Sequence, residues 1–338
     1  MKIQKSNLIQ ALEKVKPGLS SKELIQQSTS FAFLDGCVVT YNDEISISHP
    51  VEGLEITGAV QATELYQLLK KLKQEEIELV VNDKEIQITS GKTKAGLTLQ
   101  TEIKLPLSEV ERKSKWKVLP ENFKDALRFA VSSCSKDMSK PVLTCVHVSA
   151  EGFIEACDNY RVARWTLAEE FPTGTFLIPQ SSVMELLKLD VVKVALDGGW
   201  VHFITEDKTT MSCRVIDDRF PDTSKLLNVR GVELSFPEGI TEILDRASVF
   251  AKRDTMLDET VLITVENDKV QVESKSETGW FKEEVVNNYS GEKIEFSITP
   301  SLLKGILQET SVFQHCIDKI KFSGDSWIYV VSLRRTQK

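Results

Sequence analysis

The sequence predicts an α+β protein of three repeated domains, on three observations. First, an apolar stripe at i, i+3, i+4, i+7 occurs three times: Leu8, Ala11, Leu12, Val15; Phe123, Ala126, Leu127, Ala130; and Ile240, Ile243, Leu244, Ala247. Residues so spaced share one helix face, and the stripes start 115 and 117 residues apart. Second, a shorter helical pattern recurs as "ELYQLLKKL" (64–72), "SVMELLKL" (182–189) and "SLLKGIL" (301–307). Third, each of these is followed by two alternating apolar runs around a turn signal. Those are "IELVVNDKEIQIT" (77–89), "VVKVALDGGWVHFIT" (191–205) and "IDKIKFSGDSWIYVV" (317–331).

Taken in order, the elements support one another. Pro120-Glu121 and Pro237-Glu238 suit the first turn of a helix, where proline lacks no needed donor and an acid faces the positive end of the dipole. Asn82-Asp83, Gly198-Gly199 and Gly324-Asp325 sit where hairpins need positive φ or Asx bonding. Between the two helices of each copy lie further alternating runs, such as "SFAFLDGCVVTYNDEISIS", "CVHVSAEGFIEACD" and "VLITVENDKVQVES". The expected domains are 1–116, 117–228 and 229–338, with "EVERKSKWKVLP" (109–120) as a polar linker and a second linker after Phe220-Pro221.

A chain of 338 residues with 41% hydrophobic and 27% charged residues can bury more than one core. No apolar run reaches the ~18 residues of a membrane helix, and the amphipathic "MKIQKSNLIQALEKV" has no apolar signal core. A cytoplasmic protein is expected. Cys37, Cys134, Cys145, Cys157, Cys213 and Cys316 are scattered without C-x-x-C, which suits reduced core thiols rather than metal ligands. The net charge of −8 speaks against a nucleic-acid partner only if it is spread evenly. Residues 1–116 hold 15 basic and 16 acidic side chains, so the acidity lies in the rest.

Catalytic motifs are sparse. "SGKT" (90–93) ends like a phosphate-binding loop, but Ile86 stands where that loop needs its first glycine. His49, His147, His202 and His315 form no H-x-x-x-H or H-E-x-x-H, and no G-x-S-x-G occurs. Asp158, Asp197, Asp217 and Asp218 are the acidic candidates for a metal-dependent phosphoesterase. Asp197 reads more simply as a turn residue, and adjacent Asp217 and Asp218 would point to opposite faces of a strand. No metal or cofactor is expected.

Basic residues recur at equivalent places. Lys14, Arg128 and Arg246 lie on the polar sides of the first helices. Lys70, Lys71, Lys73, Lys188 and Lys304 belong to the second helices, and Lys22, Lys136, Lys140, Lys252 and Arg253 to the loops after the first helices. Solvated helix surface is the simple explanation of any one of them. If the repeated helices lined a hole, six packed about 10 Å apart would leave roughly 9 Å, too narrow for a duplex. Twelve helices from two chains would leave about 28 Å, enough for a duplex of roughly 20 Å.

"ACDNYRVA" (156–163), "FLIPQSSVMELLKL" (176–189), "RVIDDRFPDTSKLL" (214–227) and "IYVVSLRR" (328–335) resemble the bacterial-type β sliding clamp family, the processivity subunits of DNA polymerase III. "SKPVLTCVHVSAEG" (139–152) resembles that family's entry into its second domain. The resemblance implies three domains of the DNA clamp fold, helices inside and antiparallel sheets outside, in a homodimeric ring around double-stranded DNA, with no catalysis. It implies a partner-peptide groove for DNA polymerase and clamp loader, formed by Leu143, Cys157, Asn159, Tyr160, Arg161, Val162, Pro221, Lys225, Leu226, Val330, Val331, Ser332 and Leu333. Val330 or Val331, or both, would in any case belong to a buried last strand. It also implies DNA contacts by Lys14, Lys22, Arg128, Lys136, Lys140 and Arg246, and a dimer interface of Ala95 and Leu97 against Val249 and Phe250. An exposed Phe250 would favour a partner.

Three departures from the family pattern bear on the groove: Asn159-Tyr160 replaces Gly-His, Ser332-Leu333 replaces Met-Pro, and the tail is "RRTQK". They imply an altered peptide preference. The chain is also shorter than most cellular members, which would fit a phage- or plasmid-encoded one. Two other functions stay open at this point: a phosphoesterase using Asp158, Asp217 and Asp218, and a peptide-binding scaffold that does not encircle DNA.

Overall fold

A computed structural model of the chain describes residues 1–253 and 258–334. Arg335 to Lys338 of the tail therefore lie outside the described residues. The described helices are α1 (Lys5–Val15), α2 (Ala62–Lys71), α3 (Phe123–Val131), α4 (Gln180–Leu186), α5 (Ser224–Leu227), α6 (Ile240–Ala251) and α7 (Pro300–Leu307). All twelve stripe residues of the repeat are buried on α1, α3 and α6, as the 3.6-residue period demands. Pro120-Glu121 and Pro237-Glu238 lie just outside their helices rather than in the first turn. There Phe123 and Ile240 donate their N–H groups to the carbonyls of Pro120 and Pro237, a lead-in turn that delays the helix.

The chain forms two compact units. The first contains Met1–Lys124, Val148–Glu151 and Glu169–Asp218. Its larger sheet has eight strands in the order Gly58–Gln61, Ser30–Leu34, Cys37–Tyr41, Ile45–Pro50, Thr210–Arg214, Trp200–Thr205, Val191–Asp197, Lys117–Val118. The middle pairing joins strands 160 residues apart in sequence: Met211 faces Ile47 and Cys213 faces Ile45, and all four side chains are buried. The first unit's smaller sheet runs Lys2–Gln4, Glu76–Asn82, Glu85–Ser90, Thr93–Thr98, so Thr93–Thr98 is an edge. Gly198 and Gly199 take φ of 52° and 85°, a two-residue turn open to few other residues. The expected bare linker at 109–120 is partly ordered: Lys117 and Val118 pair with Val194 and Lys193. Asp197, placed by its own hairpin turn, accepts the N–H groups of Lys113 and Ser114 at 3.1 and 2.7 Å.

The second unit contains Asp125–His147, Gly152–Ala168 and Arg219–Lys338. Six of its strands run in the order Phe153–Cys157, Arg161–Thr166, Trp327–Ser332, Lys319–Ser323, Val312–His315, Val232–Ser235. Again a distant pair meets in the middle, with Arg161–Thr166 against Trp327–Ser332. A separate sheet runs Gly279–Val286, Lys269–Ser276, Val261–Glu266, Ile294–Ile298, leaving Gly279–Val286 as an edge. α6 packs on Lys269–Ser276 and Gly279–Val286, and Leu244, Ala247, Val270 and Val272 share its core. Gly324 does not take the left-handed conformation. It donates its N–H to the carbonyl of Trp327, closing the turn without positive φ.

Candidate functional site

Most side chains of the expected groove converge in the second unit because two strands and one loop bring them together. Asp158 follows the strand Phe153–Cys157, and its carboxylate accepts the N–H groups of Tyr160 and Arg161 at 2.8 and 2.9 Å and Arg161 Nε at 3.1 Å. This Asx-type turn fixes the loop Asp158–Arg161 and commits the Asp158 carboxylate. Arg161 also donates to the carbonyl of Ser132 at 2.5 Å. The carbonyl of Tyr160 accepts the N–H of Ser332 at 2.8 Å, and the Arg334 guanidinium lies 4.9 Å above the Tyr160 ring.

Strand alternation then divides the apolar residues. Ala163, Tyr329 and Val331 face the core beneath α6 and α7, so their neighbours Val162 and Val330, directly paired, face the other side. Cys157 pairs with Val162 and shares that side. Val331 is 0% exposed and is a core residue. Burial pushes the Cys157 thiol up to about 12, so it is a packed thiol rather than a nucleophile. Leu143 is buried as well, while Leu226 on α5 is 49% exposed. Asn159, Pro221, Lys225 and Ser332 are exposed, and Tyr160 and Leu333 half-buried.

A buried polar cluster that the sequence analysis did not single out stands behind the segment carrying Pro221 and Leu226. Glu155, 2% exposed, holds His147 Nδ1 at 2.9 Å, Arg164 Nε at 3.0 Å and the Thr223 hydroxyl at 2.6 Å. Burial alone would raise its carboxyl pKa. Hydrogen bonds from His147 and Thr223 and the charge of Arg164 outweigh that and hold the pKa below its ordinary value. Phe220 stacks on the His147 ring at 4.9 Å. The available signal was an acid inside the apolar strand "FIEAC" beside strands offering a histidine and an arginine.

The expected DNA-contacting cations fall into two groups. Lys14 is bonded to Asp207, Arg128 to Asp125 at 2.6 Å, and Arg246 to Glu283 at 2.7 Å, so each is locally neutralised. Lys22 and Lys136 are exposed and make no ion pair among the described residues. Lys140 reaches Asn159 Oδ1 at 3.4 Å, which ties a loop lysine to a residue of the expected groove.

Of the expected interface residues, Ala95 and Leu97 lie on the edge strand Thr93–Thr98, and Val249 and Phe250 lie on α6, which packs on the edge strand Gly279–Val286. Ala95 and Leu97 pair with the buried Ile88 and Ile86 but are only half-buried themselves, because the sheet ends at their strand. On the other edge, Phe281 and Val285 pack against the core, Trp280 is 69% exposed, and Val249 on α6 is 60% exposed. Phe250 is half-buried rather than exposed: a Cβ built on Gly279 would meet its ring at 2.7 Å, so the absence of a side chain there lets the ring lie down. Trp280, Phe281 and Val285 were missed, although "GWFKEEVV" (279–286) alternates visibly.

Asp217 and Asp218 are exposed, and among the described residues no three His, Cys, Asp or Glu side chains are grouped to hold a metal. Four of the six cysteines are buried, and Cys37 and Cys316 are half-buried; all six are free thiols. No helix of the described residues is long and apolar enough to cross a membrane.

No protein-family model matches the chain. It is 25% identical over 342 residues to the β sliding clamp of Chlamydia pneumoniae, covering 90% of this chain and 87% of that one. Its fold matches the DNA polymerase III subunit β of Pseudomonas aeruginosa with a TM-score of 0.87, 18% identity and 99% of each chain covered. It matches equally, at 0.87 with 16% identity and 99% coverage of both chains, a P. aeruginosa sliding clamp bound to griselimycin. Sequence likeness along nine-tenths of the chain to a β sliding clamp, and the same architecture along nearly all of it as a DNA polymerase III subunit β, give this chain the fold of those proteins.

Proposed function

We propose that this protein is a DNA sliding clamp, a homodimeric ring that encircles double-stranded DNA and tethers a replicative polymerase. It performs no covalent chemistry; its effect is topological, since leaving the DNA requires opening the ring. The observation that carries the ring is the state of the sheet edges. Inside the chain, Ile45–Pro50 meets Thr210–Arg214 and Arg161–Thr166 meets Trp327–Ser332. The matching edges Thr93–Thr98 and Gly279–Val286 each pair on one side only, with no strand on the outer side among the described residues, and carry half-covered apolar residues. A head-to-tail second copy satisfies both at once and closes the assembly. The sequence repeat supports three clamp domains, at 1–116, 117–228 and 229–338, hence six in the ring, with helices toward the hole and sheets outside. The clamp acts in the cytoplasm.

DNA contacts fall to Lys22 and Lys136, whose ammonium groups are free to meet phosphates, with Lys14, Arg128, Lys140 and Arg246 adding charge once their present partners yield. Exposed ion pairs cost little to exchange. Partner peptides occupy the groove floored by Cys157, Val162 and Val330 and walled by Pro221, Lys225 and Leu226. A short extended peptide with leucine and aromatic anchors suits such an apolar cleft.

The direct test is topology. Clamp loaded on circular DNA should be retained, and linearising the circle should release it; retention on linear DNA with free ends would sink the ring. Light scattering should give about twice 38.1 kDa. Reversing Lys22 and Lys136 to glutamate should flatten the salt dependence of DNA affinity, the log–log slope falling by about one for each phosphate no longer neutralised, and leave peptide affinity unchanged. Lys140 is unsuitable for that separation because it touches Asn159.

A further inference from the structure

The peptide groove proposed above has one wall that belongs to no sheet: the segment from Phe220 to Leu227, with only the single turn of α5. An irregular segment of this kind needs an anchor to present Pro221 and Leu226 in one geometry, since each unfixed residue costs binding entropy when a peptide orders it. The anchor visible here is polar and buried. Thr223 is 1% exposed and gives its hydroxyl proton to Glu155 Oε2 at 2.6 Å. Arg164 donates to the Thr223 oxygen at 2.8 Å and to Glu155 at 3.0 Å, closing a triangle. The carbonyl of Thr223 in turn accepts the N–H groups of Leu226 and Leu227 at 2.9 and 3.2 Å. His147 supports the triangle from both sides, bonded to Glu155 and stacked on Phe220.

Glu155, Arg164 and His147 sit on strands, which are rigid, whereas Thr223 sits on the wall. A buried carboxylate with three donors is costly to assemble and is disrupted sharply by losing one of them. We propose that Glu155 is a positioning residue for the partner groove: through Thr223 and Arg164 it fixes the Pro221–Leu226 wall in the geometry that a partner peptide meets. This rests on the groove reading, and it sets which surface the peptide finds without touching the peptide.

The test uses the full chain and a fluorescein-labelled synthetic pentapeptide carrying a leucine and a C-terminal phenylalanine, read by anisotropy. Thr223→Val keeps the shape and removes the hydroxyl; Thr223→Ser restores it. We expect Thr223→Val to bind about tenfold more weakly and Thr223→Ser within about twofold of the unmodified chain. Amide exchange at Leu226 and Leu227 should quicken in Thr223→Val alone, with ring mass and DNA retention unchanged. Glu155→Gln should behave like Thr223→Val. Equal peptide affinity in Thr223→Val and the unmodified chain overturns the proposal, as does a parallel loss of dimer mass, which would mean a general folding role. Absence of binding by the unmodified chain would overturn the groove itself, and the exchange experiment would then still report whether Thr223 ties the wall down.

Discussion

Leu97→Asp should leave each chain folded but dissociate the ring, raising the dimer dissociation constant by about a thousandfold. The side chain is half-buried in the isolated chain, so an aspartate there can keep its water and the fold tolerates it. Closing the proposed ring would remove that water. The equivalent positions at the internal junction, Cys213 and Met211 on Thr210–Arg214, are fully buried against Ile45 and Ile47, which indicates what Leu97 meets when Gly279–Val286 of a second copy pairs with its strand. Losing the leucine's remaining burial forfeits about 1 kcal/mol, and desolvating a carboxylate with no cation beside it adds at least as much. A head-to-tail dimer has two such interfaces, so a loss of about 2 kcal/mol at each becomes about 4 kcal/mol for the ring. Sedimentation at micromolar concentration reads the outcome. A variant that stays dimeric while its circular dichroism is unchanged would place the interface elsewhere. Retention on circular DNA should fall with the dimer, whereas peptide affinity, set in the second unit, should not.

How much of this was legible beforehand depends on how local the signal is. The faces of α1, α3 and α6 follow from spacing alone, because twelve apolar residues at helical period have no other common side to occupy. The Gly198-Gly199 turn is equally local. Which strands meet across 160 residues is not, since Ile45–Pro50 alternates in the same way whether its neighbour is Thr210–Arg214 or solvent. For the same reason the sequence could not separate Val330, on the groove side, from Val331, in the core: both are apolar, and only the pairing with Val162 and Arg161 assigns the faces. The half-burial of Phe250 was not legible because it depends on Gly279, a residue notable only for lacking a side chain. The Glu155 cluster was missed because its members come from four places in the chain, and each looks ordinary alone.

His202 gives the second large effect, and its sign follows from where the proton goes. The ring lies in the sheet of the first unit, 1% exposed, with Nδ1 on the Ser212 hydroxyl at 2.8 Å and Nε2 without a hydrogen-bond partner. Burial lowers its pKa from 6.5 to about 4, with the Asp197 carboxylate opposing and Arg112 adding to the fall. In the unfolded chain the ring protonates near its ordinary value while the folded chain refuses the proton, so unfolding takes up a proton between those two pH values. The neutral ring's contribution is therefore complete above about pH 6.5 and declines as pH falls toward 4, by about 1.4 kcal/mol per unit and about 3 kcal/mol in all. His49 and His315 are also lowered by burial and add slopes of the same sign, whereas the hydrogen-bonded carboxylates Glu75, Glu155 and Asp207 are lowered and so titrate in more acidic solution. Comparing denaturation midpoints of the unmodified chain and His202→Gln between pH 6.5 and 5 isolates one ring in a window where acids are silent. The unmodified chain should lose about 2 kcal/mol more than the variant over that interval. Parallel profiles would mean that water reaches Nε2 and that the ring is not buried neutral in the folded protein.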